Sequence, residues 1–257
     1  MRKKVIALAM IAAMVVSLTA CGGKNNDKQG KDSTESLKVA YQSGIAYAPI
    51  LVMKDQKLIE KNYDGNVDID WQLLSGGAAI SEGLTSNTVD VGAIGTGVAI
   101  TGAKAGAPYK IFAGMSSQPY RISTNKEEIK TLKDITKEDQ IAITGINSQP
   151  HIVLAMAAKA YLGDAHALDA NLVAQPNADG YTSLVSGAVQ CHMIMSPYCF
   201  MEQNKEGIHQ IEVDESVWPV GDTTIVGVAT DKLKEERPKL YEAVCKAMDE
   251  AIEFIND

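Results

Sequence analysis

Apolar positions along the chain fall into short blocks whose period switches between two and about 3.6. LKVAYQ (37–42) alternates and stops at Ser43-Gly44, which predicts a strand closed by a turn. The loop SGIAYAP opens a helical run to about Lys61. VDIDWQL (67–73) alternates strictly, with Val67, Ile69, Trp71 and Leu73 on one face, and Ser75-Gly76-Gly77 leads into a helix near 78–86. VDVGAI (89–94) predicts a strand, 97–105 a helix and YKIFAGM (109–115) another strand. The rhythm restarts with a strand in DQIAITG (139–145) and a helix over 151–162, behind Asn147, Ser148 and Pro150. A strand near 171–174, a helix over about 179–186 and a strand in AVQCHMIM (188–195) follow. TIVGVAT (224–230) adds a strand. From 231 to 256, Leu240, Val244, Met248, Ala251, Ile252 and Ile255 recur at three- and four-residue steps, predicting one long amphipathic helix. Strands alternating with helices predict an α/β fold on mainly parallel sheets.

SNTVDVGAIGTG (86–97) and SGAVQCHMIMSP (186–197) share a plan. Each has a small polar helix end, a short apolar strand, then small residues opening a new helix. The echo predicts two similar α/β lobes.

The N-terminus changes the picture. MRKK is followed by twelve unbroken apolar residues, VIALAMIAAMVV, too few for the roughly 20 that span a bilayer. They fit the apolar region of an export signal, and LTAC (18–21) resembles the bacterial lipobox, with cleavage after Ala20 and lipid on Cys21. GGKNNDKQGKDSTES (22–36) has no apolar side chain and predicts a flexible tether. Removing residues 1–20 removes Arg2, Lys3 and Lys4, leaving 21 basic residues against 32 acidic, a net charge of −11. That balance argues against nucleic acid and against a polybasic membrane patch.

The glycines of VDVGAIGTG invite a phosphate reading, which fails. A dinucleotide fingerprint needs a third glycine where Ile100 stands and an acid about 20 residues on, yet 91–126 holds no carboxylate. The P-loop ending is missing too. What remains is a set of strand ends that all open into small hydroxyl or amide residues: Ser43-Gly44, Ser75-Gly76-Gly77, Gly95-Thr96, Gln118, Asn147-Ser148 and Ser196-Pro197. Ligands of open α/β sheets sit beyond the carboxyl ends of the strands, where helix N-termini offer unpaired N–H groups. Segments 38–54, 71–81, 91–126 and 141–163 hold no carboxylate although the protein is acidic. An anionic or neutral solute is expected there and a simple cation is disfavoured.

No GxSxG or HExxH pattern supports catalysis. His151 opens a helix near the strand ends and is a candidate ligand contact; His166, His192 and His209 read as structural or surface residues. Cys191, Cys199 and Cys245 lack metal-ligand spacing and read as free thiols, with a Cys191–Cys199 disulfide as the alternative. No catalytic residue, metal or cofactor is expected.

The lipobox, the tether, YQSGIAYAPILVMKDQKLIEK, LLSGGAAISEGLTSNTVDVGAIGTGVAI and KLYEAVCKAMDEAIEFIN together resemble ABC-transporter substrate-binding lipoproteins of the nitrate/sulfonate/taurine type, related to binders of thiamine pyrimidine precursors. The resemblance covers about 37–257. It implies a two-lobed type II periplasmic-binding-protein fold that closes on its ligand by a hinge. It also implies a fold lacking C-terminal helices, because such proteins continue past EFIN, with apolar surface left on the first lobe. Lobe one would be 37–117 plus 221–257 and lobe two 118–220, crossed near Ser117–Tyr120 and Trp218–Gly221, behind a signal (1–20) and a lipidated tether (21–36). The implied ligand contacts are Ser43, Gly44, Tyr47, Ser75, Gly76, Gly77, Gly95, Thr96, Gln118, Asn147, Ser148 and Tyr198. Tyr41, Tyr47, Trp71, Tyr120, Tyr181 and Tyr198 are candidate stacking walls.

The function implied is capture of a small anionic or neutral polar solute, sulfonate-, taurine- or nitrate-like, for an ABC permease and its ATPase. The protein would be a monomer on the outer face of the cell membrane, held there only by its lipid. A heteroaromatic solute is the alternative ligand. An enzyme of the thiamine-pyrimidine synthase type shares the fold, but it depends on a cysteine-rich motif that this exported sequence lacks. A sensory receptor without a transporter is a third option.

Overall fold

The computed structural model describes residues 34–213, 217 and 222–257. The signal, the lipobox with Cys21, most of the tether and the Trp218–Gly221 crossing lie outside the described residues. Thr34–Asp257 forms one compact unit.

The first strand, β1 (Glu35–Tyr41), starts two residues before the predicted one, so Glu35 and Ser36 belong to the sheet rather than the tether. A short 3₁₀ turn leads to α1 (Ala48–Asp55) and α2 (Leu58–Asn62). The single helical run expected here is broken at Lys57, whose φ is 54°. An unbroken helix would carry Lys57 onto the buried stripe of Ile50 and Met53. The left-handed residue turns Lys57 out and Leu58 and Ile59 in. Then follow β2 (Val67–Leu73), α3 (Gly77–Thr85), β3 (Val91–Gly95), α4 (Thr96–Lys104) and β4 (Tyr109–Ser116).

The second half begins with β5 (Tyr120–Thr124), a strand absent from the sequence reading, and β6 (Ile141–Ile143). It continues through α5 (Gln149–Leu162), β7 (Leu172–Ala174), α6 (Asn177–Ser186), β8 (Cys191–Met195), α7 (Tyr198–Gln203) and β9 (His209–Ile211). The chain returns through β10 (Ile225–Thr230) to α8 (Asp231–Glu236) and α9 (Pro238–Asn256). The one long C-terminal helix of the sequence reading is therefore two. Pro238 disfavours helical backbone at Arg237, which lies at φ −132°, ψ 56°. Freed from the helix, the Arg237 guanidinium bonds the Ser36 carbonyl and the Asp90 carboxylate. α9 then packs on α1 and α2, with Leu240, Val244, Met248 and Ala251 buried and Phe254 and Ile255 exposed.

Two five-stranded sheets result, ordered β2-β1-β3-β10-β4 and β7-β6-β8-β5-β9. Each holds four strands running one way and one inserted antiparallel: β10 in the first, β5 in the second. The sheets are thus mainly parallel and built on one plan, a two-lobed α/β arrangement. The internal echo is structural down to hydrogen bonds. Thr88 and Val89 donate N–H to the Gly83 carbonyl as Ala188 and Val189 donate to that of Ser183. Asn87 and Gly187 carry the positive φ in the two turns. Val91 pairs with Val39 as Cys191 pairs with Ile141. One large apolar cluster runs through both sheets, from Leu37 and Val39 to Ile122 and Ile141.

The irregular segment before β6 is tied down by Asp139, whose carboxylate is almost fully buried. It takes the Lys126 ammonium at 2.6 Å and the Thr136 N–H and hydroxyl at 2.8 Å each. Burial pushes this carboxyl up, but the Lys126 and Thr136 bonds together pull it below the usual carboxylate range. A depressed folded value means stability that is present above the unfolded value of about 3.9 and is lost as pH falls through the folded one. Asp139→Asn is expected to lower stability at pH 7 by about 1.5–3 kcal/mol and to flatten the acid limb of the profile below about pH 4. Denaturant unfolding between pH 7 and pH 2 checks both; parallel acid limbs for the two proteins would remove the assignment.

Candidate functional site

β1, β2 and β3 point their carboxyl ends toward those of β6 and β8, and the space between is the cleft. Its inner chamber is walled from the first sheet by Gln42, Ser43, Tyr47, Gly77, Gly95, Val98 and Ile225. The second sheet contributes Tyr120, Thr144, Ser148, Gln149, Pro150, Asn177 and Met195. About 30 Å³ of the chamber is open to water centres, room for one small polar group. An outer groove of about 730 Å³ adjoins it and shares Gln42, Ser43, Thr144, Asn177 and Met195. That groove adds Ile45, Leu73, Leu74, Pro176, Pro197 and Tyr198, so its walls are largely apolar.

Among the described residues no charged side chain lines either space. The polar groups are carboxamides and hydroxyls. Burial pushes the Tyr47 hydroxyl up, offset in part by its hydrogen bond with Gln42. Burial raises Tyr120 as well, with Tyr47 adding to the effect. Both phenols therefore act as neutral hydrogen-bonding groups. Ser148 Oγ, Gln149 Nε2 and Asn177 Oδ1 have no partner among the described residues. Ser148 is 8% and Gln149 5% exposed. An unmatched buried polar group costs about 1–3 kcal/mol. Three such groups belong to residues on one wall of the chamber, where hydrogen-bonding capacity is left unused.

The α5 N-terminus brings these groups together. Ser148 precedes its first turn, and Asn147 ahead of it holds φ at 60°. The Asn147 N–H donates to His151 Nδ1 at 2.9 Å, leaving His151 Nε2 to face Asp169 at 3.3 Å. His151 thus buttresses the turn and does not line the cleft.

Of the residues expected at the site, Ser43, Gly44, Tyr47, Ser75, Gly77, Gly95, Ser148 and Tyr198 line the chamber or the groove. Gly76, Thr96, Gln118 and Asn147 line neither. The Thr96 hydroxyl donates to the Thr223 carbonyl at 2.7 Å and its N–H to that of Thr224 at 2.9 Å, so both hold the strand β10 crossing. Gln149 packs against the bare backbone at 95–97. A Cβ on Gly95 would lie 2.5 Å from Gln149 Cβ, and Gly97 N–H already donates to Gln149 Oε1 at 2.7 Å. Sequence reasoning missed Gln42, Thr144, Gln149, Asn177 and Met195. Gln149 directly follows Asn147-Ser148, and Asn177 opens α6 behind Pro176, so both lie beside strand-end residues that the sequence does single out.

Among the candidate stacking rings, Tyr41, Tyr47 and Tyr120 are buried. Tyr181 and Tyr198 form a tilted pair, centroids 6.0 Å apart. Cys191, Cys199 and Cys245 are free thiols, and burial pushes Cys191 up to about 11 against a hydrogen bond with Thr124. Among the described residues no three His, Cys, Asp or Glu side chains gather as a metal site, and no helix is long and apolar enough to cross a membrane.

The model of the NMT1-like family matches residues 30–257. No curated protein matches the sequence. Solved structures similar to the fold include the periplasmic aliphatic sulphonate-binding protein SsuA of Escherichia coli. It is 22% identical, covers 85% of this chain and 73% of its own, and superposes with a TM-score of 0.62. The alkanesulfonate-binding protein SsuA of Xanthomonas axonopodis pv. citri, bound to MOPS, is 18% identical over 84% and 72%, TM-score 0.64. The periplasmic nitrate-binding protein NrtA of Synechocystis PCC 6803 is 16% identical over 85% and 61%, TM-score 0.64.

Proposed function

The chain belongs to the NMT1-like family, and from that premise we propose that it is the solute receptor of an ABC importer, capturing a small anionic or neutral polar solute by closure of its two lobes. Ser148 Oγ, Gln149 Nε2 and Asn177 Oδ1 carry the reading: among the described residues they have no partner, and none of those lining the cleft is charged. A cleft with no carboxylate disfavours a cation, and one with no ammonium or guanidinium holds its guest by hydrogen bonds alone. Residue ranges 37–117 with 221–257, and 118–220, are the moving lobes in this reading, hinged where the chain crosses beside β5 and β10. Cys21 anchors the protein, as a monomer, to the outer face of the membrane through lipid. A permease and its ATPase receive the solute, and the receptor makes and breaks no covalent bond.

Size narrows the solute. The inner chamber takes one compact polar group, and the apolar groove beside it takes an organic body. An organosulfonate such as taurine or an alkanesulfonate fits better than nitrate alone. A heteroaromatic solute is the second reading, favoured by the tilted Tyr181–Tyr198 pair, of which Tyr198 lines the groove.

A thermal-shift panel of taurine, butanesulfonate, nitrate and an aminopyrimidine tests this. A solute at 100 times its Kd is expected to add about 2.7 kcal/mol, a rise of about 5–10 °C. Shifts with the sulfonates support the first reading and shifts with the aminopyrimidine alone the second; turnover of the bound compound would end the receptor reading.

A further inference from the structure

Gln149 reaches from the second sheet's α5 into the first sheet's Gly95–Gly97 turn. Its Oε1 accepts the Gly97 N–H at 2.7 Å, in the first turn of α4. A Cβ on Gly95 would meet Gln149 Cβ at 2.5 Å and Oε1 at 2.7 Å, and one on Gly97 would meet Oε1 at 2.9 Å. Gly95, which ends β3, and Gly97, in the first turn of α4, are therefore the socket of this side chain. The other end of the same carboxamide, Nε2, is buried and has no partner among the described residues, and Gln149 is one of the residues that line the chamber.

The socket fixes which way the amide points. A carboxamide has one acceptor end and one donor end, and a backbone N–H is satisfied only by the acceptor. Gly97 thus occupies Oε1, and what the amide has left to offer a guest is the Nε2 donor, which cannot flip. Ser148 and the tyrosines have hydroxyls that rotate to donate or accept; Gln149 has no such freedom.

We infer that Gln149 is the specificity-determining residue of the cleft: it requires an oxygen or nitrogen acceptor on the solute, and it bonds that acceptor with the carboxamide that joins the two lobes. The inference rests on the cleft being the solute site. A solute presenting a donor or a bare methyl at this point leaves Nε2 buried and unmatched, which is how hydrogen-bonding pockets reject analogues. A solute with an acceptor there ties itself to the α4–α5 junction through one planar group.

The decisive variant is Gln149→Glu, of equal length. Its carboxylate still accepts the Gly97 N–H at a helix N-terminus, a favourable place for negative charge, but turns an acceptor toward the guest. Calorimetry with taurine, butanesulfonate, nitrate and an aminopyrimidine is run on wild type, Gln149→Glu and Gln149→Met, with thermal midpoints for each. For whichever compound wild type binds, Gln149→Glu is expected to bind about 100-fold more weakly or worse at pH 7.5, with its midpoint within about 2 °C of wild type. As pH falls toward the carboxyl value of about 4.3 or above, protonation restores an O–H donor, so Gln149→Glu recovers affinity on acidification and wild type does not. Gln149→Met, lacking both ends, loses affinity at every pH. Undiminished binding by folded Gln149→Glu, or a loss without acid recovery, overturns the role of Gln149 and leaves the receptor reading standing. A wild-type chain that binds none of the four removes the receptor reading and this inference with it.

Discussion

Changing Glu202 to alanine, or His192 to leucine, is expected to lower the stability of the folded unit by about 3–5 kcal/mol, among the largest single-site losses in the protein. His192 on β8 and Glu202 on α7 meet at 2.6 Å between Nδ1 and Oε1, with at most 1% of either side chain exposed. Their outer atoms, His192 Nε2 and Glu202 Oε2, find no protein partner. Nε2 is pressed against Gly180 of α6, where a Cβ would come within 2.5 Å. Ser123, opposite His192 on β5, adds another unpartnered hydroxyl to the same layer. Among the described residues each side chain is the other's hydrogen-bond partner, so removing one strands a buried polar group. Replacing both, as His192→Leu with Glu202→Met, leaves nothing stranded and is expected to recover most of the loss. Urea unfolding reads the effect as a lower midpoint at unchanged slope. If the double variant is no more stable than the worse single one, the two side chains do not act as a pair. The consequence reaches the cleft, because α7 also carries Tyr198 into the outer groove.

The sequence made the alternation of strands and helices legible because the central strands of each sheet are buried on both faces. VGAIG and CHMIM are buried at every position and read as short apolar runs between turn residues. Their hundred-residue echo was legible for the same reason, since both strands sit third in identically ordered sheets. The inserted strands were harder. β10 reads as a strand, yet nothing in IVGVAT tells that it runs against its neighbours, and YRIST of β5 is too short and polar to stand out. Direction is set by the chain crossing between lobes, which is a tertiary fact. Helix breaks were half legible: Pro238 is a local signal, whereas Lys57 turns left-handed only because a straight helix would bury its ammonium.

The site divided the same way. Small residues at strand ends such as Ser43, Ser75, Gly77, Gly95 and Ser148 do line the space between the sheets, because they are where helices begin and backbones stand close. Gln149 was not legible in that way. Its partner Gly97 is 52 residues away and in the other lobe, and a glutamine at the first turn of a helix is unremarkable by itself. The glycine that makes room for it carries the information, but a missing Cβ does not say what fills its place.

That division predicts opposite outcomes for two glycines three residues apart. Gly92→Val is expected to destabilise the fold by about 3 kcal/mol, at the upper end for an overpacked core. A Cβ there would lie 2.6 Å from Ile80 Cγ2 and 3.2 Å from Leu84 Cδ1, both fully buried on α3, so the helix must lift off the sheet. Gly95→Ala meets nothing of its own lobe at close range; its three nearest atoms all belong to Gln149. Its backbone, at φ −62° and ψ 141°, accepts a side chain without strain. Only the approach of α5 is blocked, and Cβ to Cβ, so no rotamer of Gln149 relieves it. Gly95→Ala should therefore unfold within about 1 kcal/mol of wild type while binding solute at least about tenfold more weakly, because the lobes no longer close to the same distance. Thermal unfolding and calorimetry on the two variants decide it. Equal losses of stability at Gly92 and Gly95 would mean that both glycines serve the interior of one lobe, and the junction at Gln149 would lose its meaning.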